Sequence, residues 1–161
     1  MTSLVEVDDA DFDWMLGKAA GRDPRLALPV GGVDDPATLA HVRGIARGLR
    51  ERGCRATWMI VSDGEVVGLC GYKEPPKSGL VEIGYGIAES RRRRGHATRA
   101  VAALLREAER DVGVRLVTAE TNLTNIASAR VLEKNGFEQT GRRIDPEDGE
   151  SILWGRAVDA N

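Results

Sequence analysis

Between residues 56 and 88 the apolar residues leave helical spacing for strand spacing, and this change of period constrains the fold more than any other feature. The run ATWMIVSDGEVVGLCGY holds two strand-like segments joined at Asp63-Gly64. That pair tolerates positive φ and is a strong hairpin signal. KEPPKSG makes the next turn and LVEIGYGI a third strand. Upstream the spacing is helical: Phe12, Met15 and Leu16 mark a helix within 8–20. A second helix is opened by Asp35 as N-cap and Pro36 at its first position, and it closes near Gly53. Leu39, Val42, Ile45, Ala46 and Leu49 form its apolar stripe. The Gly- and Pro-rich stretch 21–36 between the two is longer than most connections, and such loops often carry function.

Downstream the text predicts a long amphipathic helix over 97–111 and a strand VRLVTAET. A shorter helix follows over 124–134, ending at Asn135-Gly136, and then the strands FEQTGRRI and SILWGRAV. The order is α-α-β-β-β-α-β-α-β-β. It predicts an α+β fold: a mixed, mostly antiparallel twisted sheet flanked by helices. With no repeat, low-complexity segment or linker, residues 1–161 read as one domain.

The totals narrow the function classes. The formal net charge is -2 and the sequence pI is about 5.8, which argues against a nucleic-acid-binding domain with a basic face. Cys54 and Cys70 stand far apart, with no second pair and no Cys/His cluster. They predict reduced thiols and no metal site. The acidic start MTSLVEVDDADFDW lacks a signal core, and no run is long enough to span a bilayer. A cytoplasmic protein without membrane or nucleic-acid partners is expected.

One local feature runs against the acidic average: SRRRRGHATRA, residues 90–100. As a charge run it reads as a solvated patch. Its position between a strand and a long helix offers another role. A helix N-terminus presents unpaired N–H groups that bind phosphate, Gly95 admits close backbone approach, and flanking arginines add charge-assisted bonds. No P-loop and no Rossmann fingerprint is present.

Arg92 to Ala97 fit (Arg/Gln)-x-x-Gly-x-(Gly/Ala), a pattern that resembles the acetyl-coenzyme A pyrophosphate loop of the GCN5-related N-acetyltransferases. The setting EIGYGIAESRRRRGHATRAVAALL matches that family's strand, loop and helix in order. A second block, AETNLTNIASARVLEKNGF, carries Asn125, Ser128, VLEK and Gly136-Phe137. It resembles the branch of ribosomal-protein alanine N-acetyltransferases.

The resemblance implies an acetyl-CoA-dependent N-acetyltransferase acting by direct attack in a ternary complex, on a protein N-terminus or a small-molecule amine. It implies cofactor contacts from Ile87 and Ala88 through backbone groups, from Arg92, Arg93, Arg94, Gly95, His96, Ala97 and Thr98 in the loop, and from Asn125. Arg91 is left as a surface residue, and His96, whose slot in the pattern varies, as a solvated one. Glu120 is the first candidate base, Glu82 the second and Glu147 the third. Many relatives supply a proton-donating tyrosine where this chain has Leu132, so Ser128 is the candidate acid. A carboxylate near a strand end also has an ordinary reading as a salt-bridged group, and Ser128 as a helix-face hydroxyl. Trp14, Trp58 and Trp154 read as core or wall residues. Tyr85 reads as facing the acceptor or packing in the sheet. The resemblance also admits a homodimer. The alternative reading is a non-catalytic acyl-CoA-binding or sensory domain with the same cradle.

Overall fold

The computed structural model describes residues 1–158. The elements run β1 (Thr2–Glu6), α1 (Asp9–Met15), α2 (Pro36–Glu51), β2 (Thr57–Ser62), β3 (Glu65–Tyr72) and β4 (Leu80–Ile87). After a single 3₁₀ turn at Glu89–Arg91 come α3 (His96–Arg110), β5 (Leu116–Asn122), α4 (Ile126–Lys134), β6 (Glu138–Asp145) and β7 (Gly149–Ala157). Seven strands form one sheet in the order β1-β2-β3-β4-β5-β7-β6. Every neighbouring pair is antiparallel except β4 and β5. The expected α+β architecture is therefore the observed one, with one addition at its start.

That addition is β1. It escapes a pattern reading because both of its faces are covered: Leu4 packs into one core and Val5 into the other, so apolar and polar residues do not alternate. The helix expected over 8–20 is also shorter. Asp8 and Asp11 form a reciprocal capping box at its start, and the chain leaves helical geometry at Gly17, whose φ is 77°. The hairpin at Asp63-Gly64 forms with both residues at positive φ, 50° and 77°. Asp35 caps α2 by accepting from Thr38 N–H at 2.8 Å, with Pro36 in the first turn.

The sheet separates two apolar layers. On one face Ala100, Val101, Leu104, Leu105 and Ala108 of α3, at helical spacing, pack with Leu132 of α4 and with Ile60, Val81, Ile83, Val117, Ala119 and Trp154 from the strands. On the other face α1 and α2 bury Phe12, Met15, Leu39 and Ala46 over Met59, Val61, Val66 and Leu69. α1 is tied to α2 by ion pairs: Arg43 reaches Asp9 at 2.9 Å and Asp13 at 3.0 Å, and Arg47 and Arg50 converge on Asp9. Hydrogen bonds from Arg43 and Arg47 hold the Asp9 carboxyl far below the usual range. Trp154 donates its indole N–H to Thr121 at 2.9 Å inside the core, and Trp58 meets Tyr72 edge to face. Cys54 and Cys70 are free thiols. No helix among the described residues is long and apolar enough to cross a membrane.

Candidate functional site

The site grows from the one parallel contact. β4 and β5 pair only over Leu80–Glu82 and Leu116–Thr118. Beyond that fork β4 stays with β3 up to Ile87, while β5 stays with β7 as far as Asn122. Glu82 C=O accepts from Lys73 N–H, and Ala88 N–H donates to Val67 C=O, so these even-numbered residues face β3. Alternation along an antiparallel ladder then turns the backbone groups of Ile83, Tyr85 and Ile87 into the gap. Ala88 corrects an expectation. Its N–H bonds Val67, its C=O accepts from Arg91 N–H at 2.8 Å, and its side chain is fully buried, so its backbone is engaged inside the fold. The Tyr85 side chain bridges the gap and donates its hydroxyl to the Ser128 C=O at 3.2 Å. Burial pushes that phenol up to about 12.

At the end of β4 the chain turns through Arg93 (φ 65°) and Gly95 (φ 80°) into α3. The backbone N–H groups from Arg93 to Thr98 find no acceptor among the described residues, and the first amide bonded back into the helix is Arg99. Six consecutive donors at a helix N-terminus suit an anion. A Cβ on Gly95 would lie 2.7 Å from Arg99 Nη1. Arg99 in turn bonds Thr2 Oγ1, Arg94 C=O and His96 Nδ1, bracing the loop from behind.

The four arginines divide. Arg91 is not a free surface residue: it forms a two-point ion pair with Glu65 that fastens the turn to β3 and holds the Glu65 carboxyl below its ordinary value. Arg92 touches Ile87 C=O at 3.3 Å. Arg92, Arg93 and Arg94 are exposed, and none has an ion-pair partner among the described residues. His96 is a second correction, since it is 9% exposed at the first position of α3. Burial, then the charges of Arg99 and Arg94, lower its proton affinity and favour the neutral ring. With Arg99 donating to Nδ1, the ring proton sits on Nε2.

The candidate acid–base residues fall at the fork and across the gap. Glu82 and Glu120 share the sheet face opposite α3, because Val81, Ile83, Ala119 and Thr121 point the other way into the core. Each is paired with a cation, Glu82 with Lys73 Nζ at 2.8 Å and Glu120 with Arg143 at 2.9 and 3.1 Å. Glu82 pairs with Thr118, two residues before Glu120 on β5, so the two carboxylates form one cluster at the fork. Glu147 stands in the β6–β7 turn, its N–H bonded to Asp145, outside that cluster. Asn125 caps α4 by accepting from Ser128 N–H at 3.1 Å. The Ser128 hydroxyl has no hydrogen-bond partner among the described residues. Leu132 is fully buried in the core.

The 21–36 loop and the second helix, expected from the sequence to form part of the acceptor site, border a cavity of about 210 Å³ between α2 and the sheet, whose individual lining residues the sequence reasoning did not name. Its floor includes Gly71, Gly84 and Gly86, and its walls Val33, Val42, Ile45 and Leu69. Asp34 and His41 stand at its solvent edge. The signal for His41 was there, one turn from Thr38 and Ile45 beside the apolar stripe of α2. The strand partner that makes that position concave is distant in sequence.

Comparison with known proteins gives this geometry a context. The profile of the Acetyltransferase (GNAT) domain family matches residues 3–138. The uncharacterized N-acetyltransferase YjdG of Bacillus subtilis is 34% identical over 84 residues, and the chain spans about half (50%) of that relative's length, with 50% of this chain covered. Among solved structures, an acetyl transferase from Salmonella typhimurium that modifies the N-terminal serine of ribosomal protein L7/L12 superimposes with a TM-score of 0.74. It is 20% identical, with 98% of this chain and 95% of that one covered. The ribosomal L7/L12 α-N-protein acetyltransferase RimL in complex with coenzyme A gives 0.72 at 22% identity, covering 99% and 96%. At such identities these two likenesses establish the fold, while the profile covers most of the chain. The chain belongs to the GNAT acetyltransferase family.

Proposed function

We propose that the protein is an acetyl-CoA-dependent N-acetyltransferase that acylates a primary amine by direct attack in a ternary complex. The observation that carries this reading is the run of unpartnered N–H groups from Arg93 to Thr98, set beside a strand whose Tyr85 and Ile87 N–H groups face an open gap. These residues fit a pyrophosphate joined to an extended amide-bearing arm. The helix terminus meets the anion, Gly95 keeps the approach clear, and β4 offers donors and acceptors at strand spacing. Relatives of this fold are crystallised with coenzyme A or acetyl-CoA, which supports the same cofactor here.

Acetyl-CoA supplies an activated acetyl thioester; the remaining work falls to this chain. Arg92, Arg93 and Arg94 add charge around the amides of Gly95, His96, Ala97 and Thr98. Ile83, Tyr85 and Ile87 align the arm, and an N–H of this strand aimed at the acetyl oxygen stabilises the charge that develops there. Asn125 turns its amide toward the cofactor from the start of α4. Ser128 returns a proton to the leaving sulfur. Glu82 and Glu120, each held by a cation, fix the charge at the fork and order water along which a proton can leave. The full stretch 1–161 acts as one domain in a cytoplasmic setting.

Calorimetry with CoA, followed by thiol release in the presence of an amine panel, tests the reading. Binding and amine-dependent release are expected. Binding without release on any amine favours the sensory-domain alternative, and absence of binding overturns the assignment.

A further inference from the structure

The cavity between α2 and the sheet carries a charge inventory that selects among amines, and this inference rests on the acetyl-transfer reading. Three glycines, Gly71, Gly84 and Gly86, leave its floor flat. Lys73 crosses one end of that strip, its Cε 3.3 Å from where a Cβ of Gly84 would stand. Asp34 overhangs the other end, its Oδ2 3.9 Å from the Cβ position of Gly86. Asp34 Oδ1 already accepts from Asp35 N–H at 2.8 Å, while Oδ2 has no hydrogen-bond partner among the described residues. The Asp35 carboxylate beside it is engaged with Thr38.

The cavity offers no unengaged cation to a substrate carboxylate. Lys73 Nζ lies 2.8 Å from Glu82, and the nearby Arg143 grips Glu120. The titratable and charged groups facing His41 across the cavity are Asp34, Cys70, Tyr72, Lys73 and Tyr85. Burial raises Cys70, Tyr72 and Tyr85, so these keep their protons. Lys73 is a paired ammonium. His41, at the cavity edge with no hydrogen-bond or ion-pair partner among the described residues, is the uncommitted nitrogen base of the cavity.

We propose that the acceptor is a primary amine on a slim apolar arm with no carboxylate beside its nitrogen, that Asp34 receives it as the ammonium, and that His41 takes its proton. The ammonium gives one proton to the imidazole and becomes the free amine. The nitrogen then bonds the acetyl carbon as the C–S bond breaks, with that electron pair leaving on sulfur. The second nitrogen proton is lost as sulfur gains one, and the imidazolium releases its proton to solvent. A free α-amino acid would set its carboxylate against Asp34 with no cation to answer it.

A matched trio tests this: leucine, leucinamide and isoamylamine, which share one arm and differ in the group beside nitrogen. Thiol release should run at least about tenfold faster in kcat/KM with isoamylamine and leucinamide than with leucine. Asp34→Asn should raise KM for isoamylamine several-fold and narrow its advantage over leucine. His41→Gln should lower kcat for isoamylamine about tenfold or more, with CoA affinity unchanged. Equal turnover of leucine and isoamylamine, an unaltered ratio in Asp34→Asn, or an unchanged kcat in His41→Gln overturns the proposal while acetyl transfer stands. If the wild type binds CoA and releases thiol with other amines of the panel but with none of these three, the proposal falls while acetyl transfer stands; the acetyl-transfer reading falls only if no amine of the panel is acetylated.

Discussion

The two halves of the site are built by different means. The cradle at Arg92–Thr98 is continuous in sequence, and its donors are backbone amides left open by the start of a helix. The cavity under α2 draws on residues 33 to 45, 57, 69 to 73 and 84 to 86, and its character comes from side chains and from missing ones. A backbone cradle recognises a group that never changes. A side-chain cavity can be respecified by single substitutions without disturbing the sheet. The cradle should therefore be sensitive to conformation and charge, and the cavity to shape and to the identity of a few polar groups.

The largest effect should come from breaking the cradle's geometry. Gly95→Val puts a β-branched residue at φ 80° with its Cβ 2.7 Å from Arg99. CoA affinity measured by calorimetry should fall at least about tenfold, while the cavity and the far-ultraviolet spectrum stay as they were. Acid comes next, and it separates the regions by their anchors. His96 is buried with its proton affinity lowered from 6.5, so its contribution is complete above that value and is lost as pH falls below it toward the folded one. Glu65 and Asp9 are lowered from 4.5 and 3.8 by their arginines, so their contributions fade as pH falls below those values. Urea midpoints should decline in two stages on acidification, and His96→Gln should remove the first. A midpoint flat between pH 7 and 5 would refute the buried neutral ring.

Charge without geometry should matter less. The double substitution Arg92→Ala and Arg94→Ala should weaken CoA binding several-fold and make the remainder less sensitive to salt, since exposed charges are screened. The smallest effect is expected where the regions meet. Tyr85→Phe keeps the ring and removes the bond to Ser128 C=O, costing about 1 kcal/mol in unfolding free energy. It should change kcat more than the affinity for CoA, because it loosens α4 across the gap and leaves the cradle untouched.

What was legible followed locality. The hairpin, the α2 cap and the arginine turn each depend on residues within a few positions, so their types announce them. His96 was misread because its burial comes from Arg99 and the neighbouring β-hairpin, and a loop motif carries no sign of that. Arg91 belonged to Glu65, twenty-six residues away, through a contact that only the β3–β4 pairing creates. Ala88 lost its expected part because strand alternation assigns its amide to β3, and the register of a strand is invisible until its partner is placed. β1 was hidden by having two covered faces.

The sequence by itself determined the alternation of helices and strands, the hairpin, the anion-ready turn and the family, because each rests on local backbone preference or on a short ordered pattern. Tertiary structure alone decided where β4 and β5 part, which backbone groups face the gap, and that Asp34 and His41 border one cavity floored by three glycines. Those depend on register and on the packing of a helix against strands far along the chain, and neither is written in the spacing of neighbouring residues.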